Sequence, residues 1–148
     1  MNILGIESSC DDTSVAVLTA DGIKSNIIAS QSIHLKFGGV VPELASRAHQ
    51  KTITQTVQQA LEEADVSLEE MGAIAVTQGP GLLGSLLVGT CFAKGLALSR
   101  DIPLIGINHM DAHIYANFID HSPEFPLLAL TVSGGHTRRV CGKTAVRI

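Results

Sequence analysis

Asn2-Ile3-Leu4-Gly5-Ile6-Glu7, then Ser8-Ser9-Cys10-Asp11-Asp12-Thr13, then Ser14-Val15-Ala16-Val17-Leu18-Thr19: these eighteen residues decide the fold. The first six read as a short buried strand, the next six as a polar turn, and residues 14–19 as a second strand. Asp21-Gly22 is a hairpin signal, and residues 23–32 continue as a third strand. The chain therefore opens with an antiparallel meander.

Outward from the meander the pattern changes. Phe37-Gly38-Gly39-Val40-Val41 reads as a loop, and Pro42 suits the first position of a helix, with Glu43 in its first turn. Leu44, Ala48, Ile53, Val57, Ala60, Leu61 and Ala64 keep a helical period to about residue 64. Residues 73–77 predict a fourth strand, and Gly79-Pro80-Gly81 turns the chain into a helix over 82–99. A fifth strand over 103–107, a helix over 109–119 and a sixth strand over 127–133 follow. Three antiparallel strands followed by crossover helices predict an α/β fold, a mixed sheet with helices on both faces. This order resembles the ribonuclease-H-like ASKHA lobe of actin, hexokinase and Hsp70-type ATPases. The resemblance implies a first lobe over residues 1–125 and the start of a second lobe over 126–137, the rest of that second lobe being absent.

The 148 residues are 45% hydrophobic and 16% charged, with mean hydropathy +0.30. That suffices for one sizeable core and excludes intrinsic disorder. Aromatics are 3% with no Trp, so the core is aliphatic. The N-terminus lacks a basic flank and Glu7 interrupts it, so no secretory signal is expected. Gly81 to Leu98 is apolar but contains Lys94 and four glycines; it reads as a buried helix, not a membrane span. Cys10, Cys91 and Cys141 form no CxxC pair, which fits a reduced, cytoplasmic setting. Residues 1–137 hold six basic and all fourteen acidic residues, a net of −8. A body of that sign is a poor match for nucleic acid by itself.

Four constellations carry chemistry. Glu7 to Thr13 crowds hydroxyls and carboxylates into one turn, which could face phosphate or metal, or be a solvated hairpin. Asp11 and Asp12 are its candidate catalytic carboxylates. Gly79-Pro80-Gly81-Leu82-Leu83-Gly84 is a literal G-x-G-x-x-G opening a helix. The dinucleotide fingerprint also requires an acidic residue ending the next strand, where Asn108 stands, and the meander is wrong for a Rossmann unit. No Gly-Lys-Ser/Thr makes it a P-loop. A tight turn with close helix–sheet packing, or the shaping of a ligand cleft, remain for these glycines. His109-Met110-Asp111-Ala112-His113 puts two imidazoles four apart, on one helix face just after a strand, where they can grip one metal ion. Met110 stands where a zinc protease has its general-base Glu. Val132-Ser133-Gly134-Gly135-His136-Thr137 is either a phosphate-wrapping loop or a plain hairpin turn.

Together these segments, with Gly38-Gly39-Val40-Val41-Pro42-Glu43-Leu44-Ala45-Ser46-Arg47 and with Tyr115-Ala116 behind the His pair, resemble one family over residues 1–137. It is the tRNA threonylcarbamoyladenosine transferase large-subunit family, formerly described as O-sialoglycoprotein endopeptidase or glycoprotease. The resemblance implies transfer of threonylcarbamoyl from threonylcarbamoyl-AMP to N6 of adenosine 37 in tRNAs reading codons that start with A. It implies one divalent metal, Fe2+ or Zn2+, with His109 and His113 as ligands, and a third ligand, an Asp, without counterpart here. It implies substrate binding by Val132, Ser133, Gly134, Gly135 and His136, with threonylcarbamoyl-AMP or ATP as the nucleotide. The implied partners are a smaller ASKHA paralogue and a P-loop ATPase, with tRNA docking mainly on partners or on the absent lobe.

Family members run to roughly twice this length, long enough to split into two lobes. Arg138, Arg139, Lys143 and Arg147 crowd the last eleven positions. Residues 138–148 are therefore expected to be a non-native or disordered tail, from a truncation, frameshift or cloning scar, and the chain to be an inactive fragment. A non-catalytic interaction module that pairs through the ASKHA lobe, as a homodimer or with the paralogue, is the alternative. A metalloprotease or an ASKHA ATPase ranks lower: the first lacks a general base, and the second needs no His pair.

Overall fold

A computed structural model describes residues 1–119, 122, 124–132 and 137–142, with the side chains of Leu35, Arg138 and Gly142 left aside. The chain forms two compact units, Met1–His109 and Met110–Ile148.

In the first unit the meander is β1 (Asn2–Glu7), β2 (Asp12–Thr19) and β3 (Gly22–Ser30). A 3-10 turn over Ser32–Phe37 leads to α1 (Pro42–Ala64), which Pro42 opens. Then come β4 (Met71–Gly79), α2 (Leu83–Arg100) and β5 (Leu104–Asn108). The five strands make one sheet in the order β3-β2-β1-β4-β5. β1 runs antiparallel to β2 and parallel to β4, and β4 runs parallel to β5.

Register explains the core. Leu4 lies opposite Val17 and Ile74, and Ile6 opposite Val15 and Val76, so these six side chains share one face. All are buried, and Ile53, Val57 and Ala60 of α1 and Ala93 and Ala97 of α2 pack into the same cluster. Both long helices thus lie on that face, against each other. Burying each large aliphatic side chain contributes about 1.5–3 kcal/mol. On the opposite face Ile3, Gly5, Ser14 and Ala16 stay half-buried. The buried stripe of α1 begins at Ala45 and His49, one position on from the expected Leu44 and Ala48.

Both long helices end the same way. Asp65 and Asp101 take left-handed backbone (φ 53° and 52°). Val66 N–H reaches Leu61 C=O at 3.2 Å, and Ile102 N–H reaches Ala97 C=O at 3.1 Å. These are Schellman bonds that satisfy the last-turn carbonyls.

The second unit contains all but the first residue of α3 (His109–Tyr115), a 3-10 turn (Ala116–Phe118), β6 (Leu127–Val132) and β7 (Thr137–Gly142). Residues 138–142 of the stretch 138–148, expected to be a non-native or disordered tail, form most of the strand β7. It pairs antiparallel with β6, from Leu127 opposite Gly142 to Val132 opposite Thr137. A backbone ladder needs no apolar alternation, and β6 itself leaves Leu128, Leu130 and Val132 exposed, so hydropathy carries no signal there. Residues 143–148 of the expected tail lie outside the described residues. No helix among the described residues is long and apolar enough to cross a membrane.

Candidate functional site

The strand directions bring the carboxyl ends of β1, β4 and β5 to one edge of the sheet, where open α/β sheets place ligands. Glu7 ends β1, Thr77 lies near the end of β4, and His109 follows Asn108 at the end of β5. The Thr77 hydroxyl donates to Glu7 Oε2 at 2.5 Å, and the Ser9 amide donates to Glu7 Oε1. His109 Nδ1 lies 3.3 Å from Glu7 Oε2 and 3.3 Å from Ser9 Oγ. Burial pushes the Glu7 carboxyl up, but the hydrogen bonds from Ser9 and Thr77, with His109 beside it, outweigh burial and hold it below its ordinary value.

The turn between β1 and β2 is clamped from beneath. Ser8 Oγ donates to Ser85 C=O at 2.8 Å, and Ser85 Oγ donates to Cys10 C=O at 3.0 Å. Leu82 N–H, at the start of α2, donates to Ser9 C=O at 2.7 Å. His49, fully buried, lies with Nε2 3.0 Å from Cys10 C=O and Nδ1 2.7 Å from Thr13 Oγ1. A carbonyl only accepts, so Nε2 carries the proton and Nδ1 accepts from the Thr13 hydroxyl. A Cβ at Gly81 would stand 2.5 Å from Ser9 O, and one at Gly89 would stand 2.3 Å from Ser8 Oγ. Of the readings open for Gly79 to Gly84, the close-packing one describes this segment: the turn's own carbonyl occupies the Leu82 amide.

Asp11 is half-buried in this turn and Asp12 is exposed at the start of β2. Although Cys10 is an exposed residue, partial desolvation of its thiol and the Asp11 carboxylate push it up to about 11. The carboxylate beside His109 is Glu7, a role that sequence reasoning did not assign. It named Ser9 only as part of the Glu7–Thr13 turn and passed over Thr77 and His49. The available signal was position: Glu7 and Thr77 sit at the carboxyl ends of predicted parallel strands.

In the second unit, His113 and Val132 line one open cavity of about 520 Å³, together with Ile114, Asn117, Phe118 and Glu124. Ser133, Gly134, Gly135 and His136 lie outside the described residues. Among the described residues, no cluster of three or more His, Cys, Asp or Glu side chains is arranged to hold a metal. His109 and His113 both belong to α3, four apart.

Residues 22–148 match the family model for the tRNA N6-adenosine threonylcarbamoyltransferase TsaD. The chain belongs to this family. The match runs through residue 148, beyond Thr137, where the sequence resemblance ended. A tRNA N6-adenosine threonylcarbamoyltransferase of Christiangramia forsetii is 58% identical over 144 residues, covering 95% of this chain and 42% of the relative. Another, of Porphyromonas gingivalis, is 56% identical over 142 residues, covering 92% and 42%. The chain thus spans about two fifths (42%) of the length of these curated relatives. Among solved structures, YeaZ from Pseudomonas aeruginosa superposes with TM-score 0.63 at 16% identity, over 99% of this chain and 69% of that one. The ROK hexokinase of Thermus thermophilus superposes with TM-score 0.51 at 18% identity, over 88% and 41%. These likenesses establish an ASKHA-like, ribonuclease-H-like fold for this member of the threonylcarbamoyltransferase family.

Proposed function

We propose that this chain supplies the histidine-bearing lobe of an enzyme that transfers threonylcarbamoyl from threonylcarbamoyl-AMP to N6 of adenosine 37 in tRNA, in the cytoplasm. The observation that carries the reading is the meeting of Glu7, Ser9, Thr77 and His109 at the carboxyl edge of the sheet, in a chain of this family. The N6 amine attacks the carbamoyl carbon, the bond to the phosphate oxygen breaks, AMP leaves, and the amine loses a proton.

Two imidazoles, with a carboxylate beside one of them, suit a borderline ion such as Zn2+ or Fe2+ better than Mg2+ or Ca2+. His109 and His113 would hold that ion, with a third ligand from outside the described residues. When bound, it supplies Lewis-acid stabilisation of charge on the adenylate. The chain's own groups do the rest: Glu7 holds His109, His49 and Ser85 hold the turn that carries Asp11 and Asp12, and Val132 to His136 contact the phosphate region.

The test is a chimera of this chain with the remaining length of the Christiangramia forsetii relative. It is given the smaller ASKHA paralogue, the P-loop ATPase, threonylcarbamoyl-AMP and unmodified tRNA, and nucleosides are read by mass spectrometry. Modified adenosine is expected, and loss of it in His109→Ala and His113→Ala. A folded chimera that leaves adenosine 37 untouched refutes the reading.

The pairing reading also has support. α2 exposes Leu83 and Leu87, and a groove between α1 and α2 is lined by Ile53, Leu87, Val88, Cys91 and Phe92. We propose that the smaller ASKHA paralogue covers it. Leu87→Glu should abolish co-elution with that paralogue, and unchanged co-elution counts against the assignment.

A further inference from the structure

We propose that Glu7 is the positioning residue for His109, fixing its ring with the proton on Nδ1 and the lone pair on Nε2. The proposal rests on the metal reading of His109 given above, and adds which atom of the ring is presented and what presents it.

The carboxylate is itself held in place. The Ser9 amide donates to Oε1 and the Thr77 hydroxyl to Oε2, so two separate parts of the fold, the β1–β2 turn and β4, fix its plane. The Ser9 carbonyl is anchored in turn to the Leu82 amide at 2.7 Å. Oε2 then faces His109 Nδ1 at 3.3 Å. An ionised carboxylate is an acceptor only, so the ring nitrogen facing it must donate. In a neutral imidazole that leaves the lone pair on Nε2. Unconstrained neutral histidine prefers the opposite tautomer, with the proton on Nε2, so the arrangement imposed by Glu7 is a measurable departure. Metal-binding histidines ordinarily give their second N–H to such a carboxylate, which sets the ring's orientation and raises its basicity. Glu7 and His109 are 102 residues apart, and the pairing exists only because β1, β4 and β5 run parallel.

The first measurement needs no variant. Long-range proton–nitrogen NMR on the chain, at a pH where the ring is neutral, should report His109 protonated on Nδ1. A signal for the Nε2-protonated form overturns the proposal. Next, Glu7→Gln keeps the shape and, with its carbonyl still accepting from the Ser9 amide, turns its NH2 toward His109, a donor that only an unprotonated Nδ1 can accept from. It should return His109 toward the Nε2-protonated form and weaken Zn2+ binding, measured by calorimetry on the chimera that supplies the third ligand, by about 10–100-fold. Glu7→Asp should recover part of that loss. Unchanged tautomer and unchanged Zn2+ affinity in Glu7→Gln overturn the proposal as well. The two ideas fail separately: a chain that shows the Nδ1 proton, while the chimera carrying the remaining length of the relative takes up no Zn2+, supports the positioning by Glu7 and refutes the metal reading.

Discussion

Replacing Gly89 by alanine sets two opposed effects against each other inside α2. In a helix interior alanine is favoured over glycine by roughly 0.5–1 kcal/mol, because glycine loses more backbone entropy on folding. At Gly89, however, the new Cβ would stand 2.3 Å from Ser8 Oγ and 3.2 Å from Ser8 Cβ. Ser8 is buried, and its hydroxyl bonds Ser85 C=O at 2.8 Å. Rotating the hydroxyl away leaves a buried polar group unpaired at a cost of about 1–3 kcal/mol. Moving the turn instead incurs an overpacking cost of about 1–3 kcal/mol. At mid-range either route outweighs the helix gain, so Gly89→Ala should be destabilised by roughly 1 kcal/mol net, and by up to about 2.5 kcal/mol. Gly95 lies six residues further along α2 with nothing within 4 Å of its Cβ position. There the helix gain stands alone, and Gly95→Ala should be stabilised by roughly 0.5–1 kcal/mol. Urea-unfolding midpoints followed by far-UV circular dichroism, with wild type alongside, measure both. The same substitution in one helix should shift the midpoint in opposite directions. A Gly89→Ala variant as stable as wild type refutes the claim that the turn and α2 touch this closely.

Other consequences follow from the same neighbourhood. His49→Ala removes a fully buried ring and its two hydrogen bonds; the cavity and the unpaired groups should cost about 2–4 kcal/mol by urea unfolding, and a loss under 1 kcal/mol would show that the turn stands without it. Cys10, raised from 9.0 to about 11, should carry about 100-fold less thiolate at pH 8 than an ordinary thiol. Iodoacetamide labelling mapped by mass spectrometry should find it correspondingly slow, and labelling at the rate of glutathione contradicts this. Glu7 has its folded pKa below its ordinary value of 4.5. Its contribution is thus complete above 4.5 and disappears as pH falls through the lower folded value. The stability gap between wild type and Glu7→Gln should narrow as pH falls below 4.5; a gap that widens below 4.5 has the wrong sign.

Local pattern was enough for the meander, for both long helices and for the His109–His113 spacing, because each is written in the nearest few residues. Alternation along residues 2–7 and 14–19, Asp21-Gly22 at the hairpin and Pro42 at a helix start are short-range signals, and the structure places β1 at Asn2–Glu7 and α1 at Pro42–Ala64. Three things were not legible. The strand β7 is held by backbone pairing to β6, and among its described side chains none is buried to give a pattern. His49 reads as a polar residue on a helix until Cys10 and Thr13 are brought over it. The centre itself combines Glu7, Thr77 and His109 from the ends of three strands. Their residue types were visible in the sequence, but their meeting was decided by the sheet order β3-β2-β1-β4-β5, because hydrogen-bond distance between groups so far apart in the chain is set by parallel packing and not by any local spacing.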